Sequence, residues 1–398
     1  MEWHRNGQDE RSEVMSVTAA QGFRAAGVAA GLKASGGPDV ALVVNEGPLD
    51  SVAAVFTANR VKAAPVLWSQ QVVSDGHARA VILNSGGANA CTGPDGFADT
   101  HATAEHIASL LSLGASDVVV CSTGLIGERL PMDKLLAGAN QAVSELAPDQ
   151  GPAAAEAIRT TDSVAKTMVV THPDGWTVGG MAKGAGMLAP SLATMLCVIT
   201  TDAVADAAAL DDALRAGVRT TFDRIDADGC MSTNDAVILM ASGTSGQHPE
   251  SAELAEAVRA VCADLSRQLL ADAEGATKEV EIIVSGAASE DDAVEVGRSI
   301  ARNNLLKCAL FGNDPNWGRV LAAIGTTNAA FDADQLDVAI NGVQVCRAGA
   351  AGESRDQVDL TGRRIVIEAN LNEGSETATV CTNDLSHAYV EENSAYSS

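Results

Sequence analysis

Apolar residues fall into short runs whose period changes along the chain. From Val17 to about Val73 the runs GVAAG, DVALVV and SVAAVFT are brief, rich in Ala and Val, and set between glycine turns, which predicts strands. Arg79–Leu83 and Asp117–Cys121 read the same way. Between them, Phe97 to Leu113 places Ile107, Leu110 and Leu111 on one side of a helix. A second helical stretch, Lys134 to Leu146, is followed by a Pro/Gly break at Pro148, Gly151 and Pro152. AEAIRTTDSVAKTMVVT then reads as a helix end, a polar turn and a strand. Met195 to Ile199 is apolar throughout, too short for a helix and β-branched at its far end, so it predicts a buried strand. The period then switches. Val204, Ala207, Leu210, Leu214, Val218 and Phe222 recur every three or four residues, an amphipathic helix. A long helix from Glu250 to Asp272 and strands at Val280–Val284, Val338–Ile340, Arg364–Ala369 and Thr377–Val380 complete an α/β pattern.

Composition narrows the functions open to this chain. Its 398 residues are enough for a large core, and 46% hydrophobic with 20% charged residues is ordinary for a globular protein. With 3% aromatics, that core must be built from Ala, Val, Leu and Ile. A formal net charge of −26 argues against nucleic acid or an anionic membrane as partner, because phosphate binding needs clustered Lys and Arg. The eight cysteines (Cys91, Cys121, Cys197, Cys230, Cys262, Cys308, Cys346, Cys381) include no CxxC pair, and the seven histidines are scattered. Neither pattern suggests a disulfide framework or a metal site. The first residues, MEWHRNGQDERSEVM, are polar and lack an apolar signal segment, and no run approaches about 18 apolar residues. The expectation is a cytoplasmic protein with a disordered segment at 1–16, for which Met15 is an alternative start.

Several motifs invite a ligand and fail on context. NSGGANACTG lies between a strand and a helix but has no Gly-Lys-Ser/Thr. GAGMLA (Gly184–Ala189) mimics a dinucleotide fingerprint, yet Pro190 and an apolar strand follow where a helix should open. DRIDADGCMSTND resembles a calcium loop, but with Gly229 at its sixth position the first ligand would be Arg224.

The stretch with the most chemistry is KGAGMLAPSLATMLCVITTD, Lys183 to Asp202. A flexible loop of small residues runs into Ala193 and Thr194 at the head of a core strand. A threonine there suits a self-cleaving precursor. Its hydroxyl can attack the Ala193 carbonyl, and hydrolysis of the ester would leave Thr194 as an N-terminus. The freed α-amine, with a reference pKa of about 7.7–8.0, can serve as base for the hydroxyl of the same residue. The same residues also describe a plain loop before a core strand that begins with a β-favouring residue. Small residues after the strand at Asp117–Cys121, in STGLIG, leave backbone N–H groups approachable, as an oxyanion hole requires, and equally describe an ordinary turn.

Taken in order, NSGGANA, STGLIG, TTDSVAK, KGAGMLAPSLATML, DAEGATK, GNDPNWGR and the ENSAYSS tail resemble the ornithine acetyltransferase (glutamate N-acetyltransferase) family, from Val17 to Ser398. The resemblance implies a layered α/β sandwich, similar by convergence to N-terminal-nucleophile hydrolases. It implies cleavage between Ala193 and Thr194, so that 17–193 and 194–398 become the α and β chains of one unit in an α2β2 assembly. Acetyl would pass from N-acetylornithine to glutamate through acetyl-Thr194. Thr123 and Gly124 would form the oxyanion hole, and Thr160, Lys183, Thr194, Glu274, Asn393 and Ser398 would bind substrate. Lys183 suits a carboxylate and Glu274 the ammonium groups of ornithine. GNDPNWGR receives no catalytic role. No metal or nucleotide cofactor is implied, and use of acetyl-CoA as a donor stays open. The chain departs from the family pattern at Gly87, Ala165, Cys230 and Ser398, where Asn, Pro, Asp and Thr are usual. Two other readings stand beside this one: an amidase or aminopeptidase on the same scaffold, and a binding protein that does not cleave itself.

Overall fold

In the computed structural model, which describes residues 16–189 and 195–395, the runs DVALVV and SVAAVFT form β2 (Val40–Asn45) and β3 (Ser51–Phe56), while β1 (Phe23–Val28) lies earlier than predicted and ends two residues into GVAAG. Ala64–Val72, within the stretch predicted as strands, is a helix (α1) opened by Pro65 in its first turn, where a missing N–H costs nothing. There follow β4 (Ala80–Asn84), α2 (Gly93–Leu111), β5 (Val118–Ser122), α3 (Met132–Ser144) and α4 (Gly151–Ala157). The Gly151-Pro152 pair, predicted as a break, is the first turn of α4.

The next elements are β6 (Lys166–Thr171), β7 (Thr177–Lys183), β8 (Leu196–Thr201), α5 (Ala207–Arg219), β9 (Ala236–Ala241) and α6 (Ser251–Ala271). The Asp206 side chain caps α5 by accepting from the Ala209 N–H. The last stretch holds β10 (Glu279–Ala287), α7 (Glu290–Ala301), α8 (Asn304–Phe311), α9 (Trp317–Ile324), β11 (Asp337–Ile340), β12 (Val343–Arg347), β13 (Ala350–Ala351), β14 (Arg364–Asn370), β15 (Glu376–Asn383) and α10 (His387–Ala395). The GNDPNWGR turn runs directly into α9.

Three sheets result, with strand orders β1-β2-β4-β5, β3-β9-β8-β7-β6 and β13-β12-β11-β14-β10-β15. The first two pack face to face, burying Val43, Val81 and Leu83 against Leu196, Val198 and Ile238. Helices α2 and α3 cover the outer face of the first sheet. Helices α5 and α6 cover that of the second, through Leu210, Leu214, Val258 and Leu265. The order helix, sheet, sheet, helix is the layered α/β architecture expected from the sequence. β8 is apolar from Leu196 to Ile199 because both its faces are covered: Leu196 and Val198 face one sheet, Cys197 and Ile199 the helices. The third sheet forms its own core with α7 and α9. Among the described residues no helix is long and apolar enough to cross a membrane.

Phe222 is fully buried in the core that joins β7, β8, α5 and α6. Phe222→Ala should lower unfolding free energy by about 3–5 kcal/mol in urea denaturation. Leu305→Ala, at a position 64% exposed, should stay within about 0.5 kcal/mol of the parent.

Candidate active site

The glycine-rich turn after β4 and the Ser-Thr-Gly turn after β5 are brought together because β4 and β5 are parallel neighbours. The pairing continues past both strand ends. Thr123 N–H donates to Asn84 O at 2.9 Å, and Gly87 N–H donates to Thr123 O at 3.0 Å. Asn234, in the loop before β9, ties both turns to the second sheet by donating to Ala88 O (2.6 Å) and Ser122 O (2.8 Å). Gly124 has φ 134°, and a Cβ there would stand 2.7 Å from Gly87 N, so the turn accepts no side chain. At Gly87 a Cβ would meet the Leu130 Cδ2 methyl at 2.9 Å, which localises the effect of that departure.

Lys183 ends β7 and reaches the same turn. Its side chain is buried, and Nζ donates to Thr123 Oγ1 at 3.3 Å. The antiparallel register pairs Lys183 with Leu196, so Lys183 and Thr123 stand beside the head of β8. Burial lowers the Lys183 pKa and Lys166 adds to that, against the pull of Asp162, Asp235 and Glu274.

Asp162 organises the neighbouring turn. Its Oδ1 accepts from Lys166 Nζ and Gly184 N–H, both at 2.6 Å, and its Oδ2 from Thr160 N–H at 3.0 Å. Lys166, fully buried, also donates to Asp272 Oδ2 at 2.5 Å. Burial alone would raise the Asp162 pKa; Lys183, Lys166 and the Thr160 N–H outweigh it and hold the carboxyl well below the usual range. The turn thus keeps its shape with Ala165 in place of proline.

Glu274 lies beyond the end of α6, three residues past Ala271. Its N–H donates to Ala185 O at 3.0 Å, and its carboxylate accepts from Thr161 Oγ1 (2.8 Å) and Asn393 Nδ2 (3.0 Å). A Cβ on Gly186 would come within 2.5 Å of this carboxylate, which explains the small residue there. Asn393 belongs to α10, so the C-terminal segment turns back onto Glu274. A cavity of about 460 Å³ opens on the same side, lined by Asp228, Glu274, Lys307 and Tyr389 among others. Burial lowers Lys307 to about 8 and raises Tyr389 to about 12.

The structure therefore gathers Thr123, Gly124 and Lys183 on one side and Thr160 and Glu274 with Asn393 on the other, bridged by Asp162. Ala193, Thr194 and Ser398 lie outside the described residues. Asp235 and Asn234 emerge only from the fold; in the sequence they stood in a motif weighed only as a calcium loop and for Cys230. Among the described residues no group of three or more His, Cys, Asp or Glu could hold a metal ion.

Asp162 yields a pH signature. Its native pKa lies below its ordinary value of 3.8, so its stabilisation is complete above that value and is lost as pH falls through the native pKa. Asp162→Asn should cost about 3–5 kcal/mol at neutral pH, because it removes one partner of a buried pair. Its unfolding free energy should also fall less steeply than the parent's between about pH 5 and 2. Parallel slopes in acid denaturation would contradict the assignment.

A family model described as the ArgJ family matches residues 24–398. The arginine biosynthesis bifunctional protein ArgJ of Streptomyces avermitilis is 68% identical over 384 residues, covering 96% of this chain and 100% of its own. That of Thermobifida fusca is 63% identical over 383 residues, with 96% and 100% covered. Among solved structures, ornithine acetyltransferase of Mycobacterium tuberculosis complexed with ornithine is 66% identical, matching 44% of this chain and 95% of its own with a TM-score of 0.44.

Proposed function

The chain belongs to the ArgJ family, an acetyltransferase family of arginine biosynthesis, and from that premise we propose that it moves acetyl from N-acetylornithine to glutamate through its own Thr194. The chain first cleaves itself between Ala193 and Thr194, giving segments 17–193 and 194–398. The Thr194 amine then takes the proton of its own Oγ, which attacks the acetyl carbonyl. Thr123 Oγ1 and the Gly124 N–H meet the developing oxyanion. Ornithine leaves, and glutamate attacks the acetyl-Thr194 ester in the second half of a ping-pong cycle.

The β7–β8 register carries this reading. It sets Lys183 opposite Leu196, two residues beyond Thr194, with Lys183 Nζ on the Thr123 hydroxyl oxygen. An ammonium donating to that oxygen leaves the Thr123 O–H free to point at substrate, and the charge reinforces it. Glu274, fixed by Thr161, Asn393 and the Ala185 carbonyl, supplies the anionic end for ornithine's ammonium groups. Thr160, held by Asp162, and Ser398 complete substrate binding. These steps use the chain's own groups, without metal or nucleotide cofactor, and acetyl-CoA is carried as a second donor. The assembly is two α and two β chains, in the cytoplasm.

Intact mass under denaturing conditions should show two fragments meeting at Ala193/Thr194, and Thr194→Ala a single inactive chain; acetyl transfer by that variant would end the proposal. Thr123→Ala should lower kcat by about 10²–10³-fold, the usual loss of one oxyanion donor. Acetate release at full rate without glutamate would identify a hydrolase instead.

A further inference from the structure

β9 begins one residue after Asp235, whose side chain is fully buried between the head of β8 and the turns of the site. Its Oδ1 accepts the Met195 N–H at 3.0 Å. That N–H belongs to the peptide joining Met195 to Thr194, so the carboxyl grips the backbone of the proposed nucleophile. Its Oδ2 is buried and, among the described residues, makes no hydrogen bond. A buried carboxyl oxygen without a partner is costly, and a native fold keeps one only for a reason.

The groups facing Asp235 are few. Lys183 approaches from β7, and Cys230 and Ser232 from the loop before β9. Burial pushes the carboxyl well above its usual range, against the pull of the Met195 N–H, Ser232 and Lys183. Lys183 Nζ donates to the Thr123 hydroxyl oxygen, and no hydrogen bond joins it to Asp235. In the intact chain, then, no cation is hydrogen-bonded to Asp235 Oδ2 among the described residues.

We infer that the missing partner of Asp235 Oδ2 is the α-ammonium of Thr194, which self-cleavage creates, and that Asp235 is the positioning residue that holds it. The inference rests on the Thr194 reading above. In self-cleavage the Oγ–C bond to Ala193 forms, the C–N bond breaks, and the Oγ proton finishes on the freed amine. Water then hydrolyses the ester. When protonated, the new amine forms an ion pair with the Asp235 carboxylate; its neutral form is the one that acts as base. Each time the amine takes the Oγ proton during acetyl transfer, the carboxylate stabilises the resulting ammonium, and the proton returns when the leaving amine departs.

Asp235→Asn tests this because the amide oxygen still accepts the Met195 N–H while the charge is removed. Cleaved Asp235→Asn should show kcat lowered by about tenfold or more. The acid limb of its pH–rate profile should move down by about one pH unit, because a neighbouring anion raises an amine pKa and its loss lowers it. A merely structural role would change stability or KM and leave that limb in place. Cleavage, kcat and acid limb all equal to the parent's would overturn the inference while leaving the nucleophile intact. Transfer by Thr194→Ala would instead overturn the reading beneath it. Titration of the Thr194 amine in ¹⁵N-threonine-labelled parent protein needs no variant. A pKa above the ordinary value of about 7.7–8.0 is expected, and one at or below it overturns the inference.

Discussion

An ionised carboxylate survives inside a protein only where charge and hydrogen bonds replace the water it has lost. Asp162 meets that condition with two lysines and two backbone N–H groups, and the site is arranged around the result. Its four interactions join two pieces of chain: the turn into β6, from Thr160 to Lys166, and the end of β7, Lys183 with Gly184. Without Asp162, Lys166 and Lys183 would be two buried cations facing each other, and the Thr160 and Gly184 N–H groups would lose their shared acceptor. Asp272, which shares Lys166, extends the same network to the end of α6 and so to Glu274. A single buried anion thus sets the distance between the Thr123 end of the site and the Glu274 end.

Much of this was legible in the sequence, in a particular way. The period of the apolar residues placed most strands and the helices α2, α3, α5 and α6, because each buries one face or both. It missed α1, whose nine residues are too few to show a 3.6-residue period and are preceded by strands, and it named none of β7, β9 and α7 to α9. The motifs named Thr123, Lys183 and Glu274, yet not how they meet. Lys183 reads as a surface charge until the β7–β8 register turns it inward onto Thr123. Asn234 and Asp235 sit in a polar segment that looks like any acidic loop. Their roles follow from burial against β8 and the two glycine turns, which no local pattern records.

The place of the proposed cut is itself a structural argument. It falls in the connection between two antiparallel neighbours that pair from Val178–Thr201 to Lys183–Leu196, in the middle of a five-stranded sheet. Breaking that connection removes no ladder hydrogen bond. It also leaves both cores intact, since each mixes residues from before and after the cut: Val178 with Ile199 and Phe222 in one, Leu83 and Met181 with Val198 in the other. The chain can therefore be cut without being separated. A nucleophile made this way costs the fold only the closure entropy of one loop, which grows slowly with loop length. The same geometry sets a demand. A charge that appears next to Met195 and Leu196 appears beside buried residues, and a buried site must supply its partner. Asp235 is the carboxyl the fold already holds there, gripping the adjacent peptide with one oxygen and leaving the other uncommitted.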